Sequence, residues 1–184
     1  MDFLLSDIHD DLASSVDTLL TKADAPAVAR AWADGDRSPA AGVFRQLADI
    51  GVFGLLVDEE HGGAGAGAVE MVVALEQIGR HALPGPIVES VAVVPILLRS
   101  ATESDALDAA ASGRLSSAAI APLSPRAADT DAAEHVYVVD NGTLSLATVD
   151  DTAQSVDPTR TVSTVRATQV IAEGIDGDRA AQFG

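Results

Sequence analysis

Residues 57–71 concentrate the residue types that could do chemistry. The segment reads VDEEHGGAGAGAVEM and holds adjacent carboxylates at Glu59 and Glu60, a histidine, and a glycine run that begins at Gly63. As a string, the run matches the G-x-G-x-x-G/A fingerprint that binds the pyrophosphate of a dinucleotide. The segment could therefore be a nucleotide loop, an acid/base pair, or a turn between two buried elements.

A nucleotide loop requires its first glycine at the end of a strand, where the next helix begins against the phosphates. Here Asp58, Glu59 and Glu60 precede the glycines and would repel a phosphate. The acidic residue expected about 20 positions later should end a second strand. Glu89 is near that distance, but it begins an apolar helical pattern. No alternation of strands and helices follows, so the sequence argues against a nucleotide loop.

Glu59 and Glu60 are poor candidates for an acid/base pair. Neighbours in sequence rarely converge on one substrate atom, and such catalysis needs a carboxylate with a raised pKa in an enclosed pocket. The sequence favours a solvated loop whose glycines allow positive φ angles and tight entry into a helix. The four histidines, at positions 9, 61, 81 and 135, do not have the spacing of metal ligands, so we predict no metal site. No G-x-S-x-G motif occurs, so we predict no catalytic serine.

Composition narrows the classes of function further. With 11 basic and 28 acidic residues, the formal net charge is −17, which disfavours binding to nucleic acid or to an anionic membrane surface. The chain has no cysteine, so disulfides and thiolate metal sites are unavailable. No apolar run reaches membrane-spanning length. We expect a soluble cytoplasmic protein with neither nucleic acid nor membrane as a partner.

Helices are predicted to position the glycine-rich segment. Apolar residues recur at three- and four-residue steps after a candidate N-cap at Ser6. The helix after the glycines is apolar on nearly every face, which predicts burial all round. Residues 25–39, which contain the lone Trp32, are predicted to be a polar connection, and Pro95 a kink or restart. The predicted helices are 3–20, 41–50, 68–78, 87–98 and 105–111.

After about Ser116 the pattern changes to that of strands. Residues 134–139 and 143–148 flank an Asn-Gly pair, which is typical of a hairpin turn. Residues 161–171 are rich in Val and Thr with period two, which predicts a further strand. The sequence thus predicts a helical part followed by a small β region.

Several motifs in the first half occur in a characteristic order and spacing: FRQLADIG at 44–51, GLLVDEEHGGAG at 54–65, LEQIGR at 75–80 and PGPIVES at 84–90. Together they resemble the N-terminal helical domain of the acyl-CoA dehydrogenase family, with Asp58 where that family usually has proline. The similarity spans residues 3–113, and DPTR at 157–160 resembles a D-x-T-R segment of the family's middle β domain.

The resemblance implies an α+β fold with three parts. An N-terminal all-α domain would cover 1–115, and a reduced, antiparallel middle β domain would cover 116–174. Residues 175–184 would start a C-terminal helical segment, with the family's C-terminal helical bundle absent from this chain. Family members dehydrogenate acyl-CoA thioesters at Cα–Cβ: a glutamate removes the α-proton and FAD accepts the β-hydride. Because that glutamate lies in the C-terminal bundle, we expect no catalytic residue in this chain.

The family's flavin-contacting segment reads L-T-E-P, and the nearest match here is APLSP at 121–125. Leu123 and Ser124 replace its Thr and Glu, and they are the candidate cofactor-binding residues. The G-S-D and aromatic stretches that should follow are missing. FAD is therefore expected to be bound mainly by a partner subunit. Arg179 and Gln182 resemble an R-x-Q-F-G motif only with altered spacing, and their roles are not carried over.

This combination is similar to heterotetrameric acyl-CoA dehydrogenases typified by the steroid-degrading enzymes of actinobacteria, in which one of two related chains has degenerated around its site. The resemblance implies a subunit that acts with a related, flavin-competent partner on an acyl-CoA, steroid-derived acyl groups included. Electron-transfer flavoprotein would be the acceptor. The alternative is a non-catalytic scaffold subunit that retains only the fold.

Overall fold

The computed structural model describes residues 5–101 and 103–175. Within these ranges, helices come first and strands follow. The helices are α1 (Asp7–Lys22), α2 (Ala25–Ala33), α3 (Ser38–Asp49), α4 (Ala68–Arg80), α5 (Val94–Ala101) and α6 (Ser104–Ala111). The strands are β1 (Ser116–Ile120), β2 (Ala127–Ala128), β3 (His135–Asp140), β4 (Thr143–Gln154) and β5 (Thr161–Glu173). The helical start predicted at 175–184 lies, beyond Ile175, outside the described residues.

Residues 25–39 were expected to form a polar connection, and this expectation is wrong, because α2 occupies most of them. Asp24 is the N-cap, and its carboxylate accepts a hydrogen bond from the backbone N–H of Ala27 at 3.3 Å. Pro26 lies in the first turn, where a missing N–H costs no helical hydrogen bond. The alanines that follow have the highest helix propensity. Trp32 is therefore held on a helix, where it is only 3% exposed.

Helix α4 forms as predicted but is not buried all round. Its inner face packs on α1, and Met71, Ala74 and Ile78 belong to the core. On the opposite side Val69 is 51% exposed and Val72 is 56% exposed. The sequence did not predict this exposed side, because apolar residues also make up much of a folded protein's accessible surface.

The predicted kink or restart at Pro95 takes the form of a change in helix type just before it, and residues 87–101 stay helical throughout. A π-helical turn spans Glu89–Val93, and α5 begins directly after it at Val94. Pro95 is thus in the first turn of α5, where proline is tolerated. The π-helical turn and α5 lead the chain towards the first strand of the sheet.

The strands form one sheet in the order β1-β3-β4-β5-β2. Strands β3 and β4 form the predicted hairpin, and both turn residues, Asn141 (φ 49°) and Gly142 (φ 74°), have the positive φ angles of a type I′ turn. The pairs β3–β4, β4–β5 and β5–β2 are antiparallel, as expected, whereas β1 pairs with β3 in parallel. The sheet is therefore mixed. Strand β2 pairs with β5 at the other end of the strand order, and its Ala128 carbonyl accepts from the Ser117 hydroxyl of β1 at 2.6 Å.

Two apolar clusters hold the fold together. The first lies among the helices and contains Phe53 and Leu47, both fully buried. The second joins α5 and α6 to the sheet: Val93, Val94, Leu97, Leu98, Leu107, Ala118, Ile120, Tyr137, Val139 and Leu144. The last helices thus share a core with the strands, and a domain boundary at residue 115 stays a prediction. In the described ranges, no helix combines the length and the apolarity needed to cross a membrane.

Candidate functional site

The glycine-rich loop uses its backbone donors inside the protein. Three consecutive amides donate to carbonyls of the preceding segment: Ala64 to Gly54 (2.9 Å), Gly65 to Val57 (2.8 Å) and Ala66 to Leu55 (2.8 Å). A phosphate-binding loop needs such amides to point at the ligand. The loop is therefore a structural turn, in agreement with the interpretation that the sequence favoured.

The N-terminus of α4 is occupied by a carboxylate. Glu70 Oε2 accepts a hydrogen bond from the Gly67 backbone N–H at 2.9 Å, and Glu70 Oε1 lies 3.0 Å from His9 Nε2. The pKa of Glu70 is lowered, first by its own backbone amide and then by the hydrogen bonds from His9 and Gly67. A negative side chain at this position would repel the phosphate of a nucleotide.

A surface cavity of about 570 Å³ lies between this loop and α5. Asp58 and Arg99 form an ion pair across it at 3.2 Å, and Arg99 Nη1 also donates to the Leu56 carbonyl at 3.3 Å. Glu60 lies on the wall of the cavity. His61 Nδ1 lies 2.9 Å from Asp108 Oδ1. The charged groups of the cavity thus pair with one another and join the loop to α5 and α6.

The remaining two histidines, His81 and His135, contact different parts of the fold. His81 Nε2 lies 2.8 Å from Asp17 Oδ1, and it connects α4 to α1. His135 packs edge-on against Tyr137 within β3. Among residues 5–101 and 103–175, no three His, Cys, Asp or Glu side chains gather as a metal site would require. Each histidine instead has its own neighbour, and three of the four have a carboxylate.

Leu123 and Ser124 lie in the loop that follows β1. The loop closes on itself, because the Ser124 N–H donates to the Ile120 carbonyl and the Ile120 N–H donates to the Ser124 carbonyl, both at 2.7 Å. The Leu123 side chain is 60% exposed at the tip. Of the donors on Ser124, the hydroxyl alone is left for a ligand.

Beside this loop, a second cavity of about 200 Å³ separates the π-helical turn from β1. Ser124, Glu89 and Arg160 line it together with apolar side chains. Its geometry is fixed by buried Ser90, whose hydroxyl donates to the Ser116 carbonyl (3.0 Å) and accepts from the Ser116 N–H (2.9 Å). The structure thus brings Ser124 together with Glu89 of the PGPIVES motif and Arg160 of the DPTR motif.

Two carboxyl groups near Arg160 have raised pKa values. Burial raises the pKa of Glu89, and Asp129 adds to the rise, while the Glu89 backbone amide and Arg160 oppose it. Burial also raises the pKa of Asp129, opposed by the Thr161 amide and by Arg160. Glu89 Oε2 and Asp129 Oδ2 are buried, and no hydrogen-bond partner for either occurs in the described part of the chain.

The sequence did not single out Glu89 or Asp129 as members of a site. A signal for Glu89 was available, because it is the one charged residue between Arg80 and Arg99. A carboxylate in such an apolar run must be buried or must lie at a cavity. Asp129 gave no local signal, since its environment comes from β5, where the Thr161 N–H donates to Asp129 Oδ1 at 2.8 Å.

Residues 6–106 match the family model described as the N-terminal domain of acyl-CoA dehydrogenase. The chain belongs to the acyl-CoA dehydrogenase family. No curated protein matches it. The helical fold predicted from the ordered motifs is thereby confirmed, and the match covers the glycine-rich loop, the π-helical turn and Glu89.

Solved acyl-CoA dehydrogenase structures share the fold. A variant of the Tcur3481-Tcur3483 steroid ACAD has a TM-score of 0.71 at 19% identity, covering 96% of this chain and 60% of that chain. Butyryl-CoA dehydrogenase from Megasphaera elsdenii has a TM-score of 0.71 at 15% identity, covering 100% and 63%. The ChsE4-ChsE5 complex from Mycobacterium tuberculosis has a TM-score of 0.64 at 12% identity, covering 95% and 56%. This chain spans less than two thirds of each of them.

The family's flavin cofactor does not fit the described residues as a complete site. The cavity of about 200 Å³ beside Ser124 is close to the roughly 150 Å³ that holds one benzene ring, whereas an isoalloxazine has three fused rings. The Ser124 N–H is already used by Ile120, and Leu123 offers no polar side-chain atom. Glu89 and Asp129 add two acidic groups nearby.

Asp129 should make the stability of the fold depend on pH. In the Asp129→Asn variant the amide oxygen can still accept from Thr161, but the ionisable group is gone. Because the folded pKa of Asp129 is raised, the folded state holds this proton more tightly than the unfolded state. Above the ordinary aspartate pKa of about 3.9, the wild type should therefore lose stability relative to the variant, by at most ~1.4 kcal/mol per pH unit, until the raised pKa is passed.

Urea unfolding of both proteins at a series of pH values tests this expectation. Any cost of burying the asparagine amide is the same at every pH, so it cancels in the slope. A stability difference that stays constant with pH would show that Asp129 does not titrate differently in the two states.

Proposed function

We propose that this chain is a subunit of a cytoplasmic, FAD-dependent acyl-CoA dehydrogenase and acts together with a related, flavin-competent subunit. The complex catalyses α,β-dehydrogenation of an acyl-CoA thioester, and electron-transfer flavoprotein accepts the electrons. Bound FAD supplies the redox chemistry. This chain contributes no catalytic residue, and the partner provides most of the contacts to FAD.

The loop after β1 carries this proposal. By resemblance it corresponds to the segment with which the family contacts flavin, yet its Ser124 N–H donates to Ile120 and its tip is an exposed leucine. Only six residues separate β2 from β3, which leaves little chain for further flavin contacts. A subunit that keeps the family fold with so few available donors fits a role beside a competent partner.

Two of the similar structures support the assignment of partner and substrate class. One is described as the ChsE4-ChsE5 complex and the other as a steroid ACAD named by two components, Tcur3481-Tcur3483. We therefore propose a hetero-oligomer and a steroid-derived acyl group. Leu123 and Ser124 would lie at the edge of the partner's flavin, with Leu123 as an apolar contact and the Ser124 hydroxyl as a hydrogen-bonding group.

The test is to purify this chain alone, a related acyl-CoA dehydrogenase chain from the same organism alone, and the two together. We expect this chain alone to be colourless and the co-expressed pair to elute as one species with bound FAD. The pair should also reduce a dye with acyl-CoA, which neither chain does as well by itself. If this chain alone is yellow and oxidises acyl-CoA, the proposed division of roles is wrong.

The same purified proteins distinguish the proposed function from the alternative of a non-catalytic scaffold. A scaffold subunit would elute with its partner on size-exclusion chromatography but leave the partner's FAD content and turnover unchanged. The proposal requires at least one of these two quantities to rise on complex formation.

A further inference from the structure

Two buried carboxyl oxygens of the described residues have no hydrogen-bond partner, and one arginine lies beside both. They are Oε2 of Glu89, in the π-helical turn, and Oδ2 of Asp129, which directly follows β2. Arg160 lines the same small cavity as Glu89, and the N–H of its neighbour Thr161 donates to Asp129 Oδ1 at 2.8 Å. The Thr161 carbonyl also accepts from the Asp129 N–H at 3.0 Å. Three ionisable groups from distant segments therefore gather where the π-helical turn meets the sheet.

The charges of these groups do not balance when both carboxyl groups are ionised. Arg160 acts electrostatically on Glu89 and on Asp129 and favours the ionised form of each. Asp131 and Arg37 also act on Asp129, but they form an ion pair with each other, so their effects largely offset. One guanidinium can neutralise only one carboxylate. With both carboxyl groups ionised, one buried negative charge would be left, which is costly.

A single proton removes this surplus charge. Burial is the main cause that raises the pKa of Glu89, and the nearby Asp129 adds to the rise. Burial also raises the pKa of Asp129. Because the two groups interact, a proton on either of them makes the other easier to ionise, and the titration belongs to the pair rather than to one residue. Together with Arg160, the pair is neutral when it holds one proton.

We propose that Glu89 and Asp129 share one buried proton and that Arg160 neutralises the carboxylate that remains. The shared proton stabilises the contact between the π-helical turn and the sheet, and loss of this proton weakens the contact. The fold thus contains a pH-sensitive junction. This inference goes beyond the proposed function, because it requires neither FAD, nor a CoA thioester, nor a partner subunit.

The lone tryptophan can report on this junction. Trp32 of α2 donates from Nε1 to the carbonyl of Thr159 at 3.0 Å, and Thr159 is the residue before Arg160. A movement of Arg160 away from the carboxyl groups therefore changes the surroundings of the Trp32 ring.

The proton released on unfolding tests whether the two carboxyl groups share it. Ordinary carboxyl groups ionise near pH ~4, so above that range the unfolded state has lost a proton that the folded state keeps. Each such proton raises the unfolding equilibrium constant about tenfold per pH unit, until the raised pKa of the pair is passed. Urea unfolding at a series of pH values measures this slope in the wild type, Glu89→Gln, Asp129→Asn and the double variant.

Relative to the double variant, the wild type should show a slope of about one proton and each single variant a slope well below one. A carboxylate that remains alone can pair with Arg160, so it no longer requires the proton. Two independently buried carboxyl groups would instead give about two protons in the wild type and about one in each single variant. That result, or no slope in the wild type, would overturn the proposal. Glu76→Gln, which removes an exposed glutamate of α4, is the control and should keep the slope of the wild type.

Variants of Arg160 test the role of the cation. In Arg160→Gln no guanidinium remains for either carboxylate, so both groups should keep a proton and the slope should approach about two protons. Arg160→Lys keeps the positive charge and should stay near about one proton. A slope that is the same in Arg160→Gln as in the wild type would show that Arg160 does not neutralise the pair.

Two spectroscopic measurements use proteins that stay folded. The ¹³C signal of the Asp129 carboxyl carbon should titrate at a lower pH in Glu89→Gln than in the wild type. If Glu89→Gln does not fold, the Glu89 carboxyl carbon in Asp129→Asn gives the equivalent comparison. Equal titrations in variant and wild type would show that no proton is shared. In the wild type, Trp32 emission should change at the pH where Asp129 titrates, and a constant emission would show that losing the proton does not weaken the junction.

Discussion

Replacing Gly63 by alanine is expected to prevent folding or to lower the free energy of unfolding by more than about 4 kcal/mol. A Cβ atom on Gly63 would lie 2.0 Å from the Val57 carbonyl oxygen and 2.4 Å from the Val57 carbonyl carbon. Backbone atoms cannot rotate away as a flexible side chain can. Val57 is fully buried and its carbonyl accepts from Gly65, so moving it would break the turn.

Gly42→Ala is the matched control. Gly42 lies within α3, and a Cβ there would have no atom within 4 Å. Because alanine is the better helix former, we expect this variant to gain up to about 1 kcal/mol. Urea unfolding followed by circular dichroism measures both variants. A Gly63→Ala protein as stable as the wild type would mean that segment 54–57 and the glycine loop are not packed as described.

The second large effect is expected at Trp32. Its ring is 3% exposed and packs edge-on against Phe44 with 6.0 Å between centroids. The guanidinium carbon of Arg37 lies 3.8 Å from the ring centroid, and the indole Nε1 donates to the Thr159 carbonyl at 3.0 Å. We expect Trp32→Ala to lower the free energy of unfolding by about 3–5 kcal/mol, because it leaves a cavity and removes these contacts.

Trp32→Phe separates the contributions within this effect. The variant keeps an aromatic ring against Phe44 but loses the hydrogen bond to the turn between β4 and β5. The lost hydrogen bond should account for about 0.5–1.5 kcal/mol of destabilisation. Since Trp32 is the lone tryptophan, unfolding must be followed by circular dichroism rather than by fluorescence. A Trp32→Phe protein as stable as the wild type would mean that the hydrogen bond between α2 and the turn contributes nothing to stability.

The environment of Gly63 was predicted correctly from the sequence, whereas that of Trp32 was not. Gly63 lies in an ordered series of motifs, and those motifs were sufficient to predict the family, which the match over residues 6–106 confirms. The position of Trp32 was predicted wrongly, because glycine and proline around it suggested a connection. The proline lies in the first turn of α2 and therefore does not interrupt the helix.

The β region was less predictable than the helices. The Asn-Gly turn and the period-two pattern gave β3, the start of β4 and β5, because hairpin signals are local. Strands β1 and β2 had no such local signal: β1 pairs in parallel with β3, and β2 has two residues at the opposite edge. Pairing between residues distant in sequence leaves no short motif from which to predict it.

In the candidate site, too, local motifs were predicted from the sequence, whereas contacts between distant residues were not. Leu123 and Ser124 were found as the counterpart of a family segment, and the structure adds that their loop closes on itself. Glu89 and Arg160 were each noted within separate motifs, 71 residues apart by number (160 − 89), and without any link between them. Their shared cavity exists because the π-helical turn packs on β1 while β5 begins beside them.

The sequence by itself determined the family, the order of helices before strands, and the turn nature of residues 57–67. These depend on local conformational preferences and on the spacing of ordered motifs. The tertiary structure alone decided which carbonyls accept from the amides of the glycine loop, which face of α4 is exposed, and where Glu89 lies. These depend on contacts between distant segments: carbonyls 54–57 take up the loop amides, α1 covers one side of α4, and β1 forms a wall of the cavity with the π-helical turn.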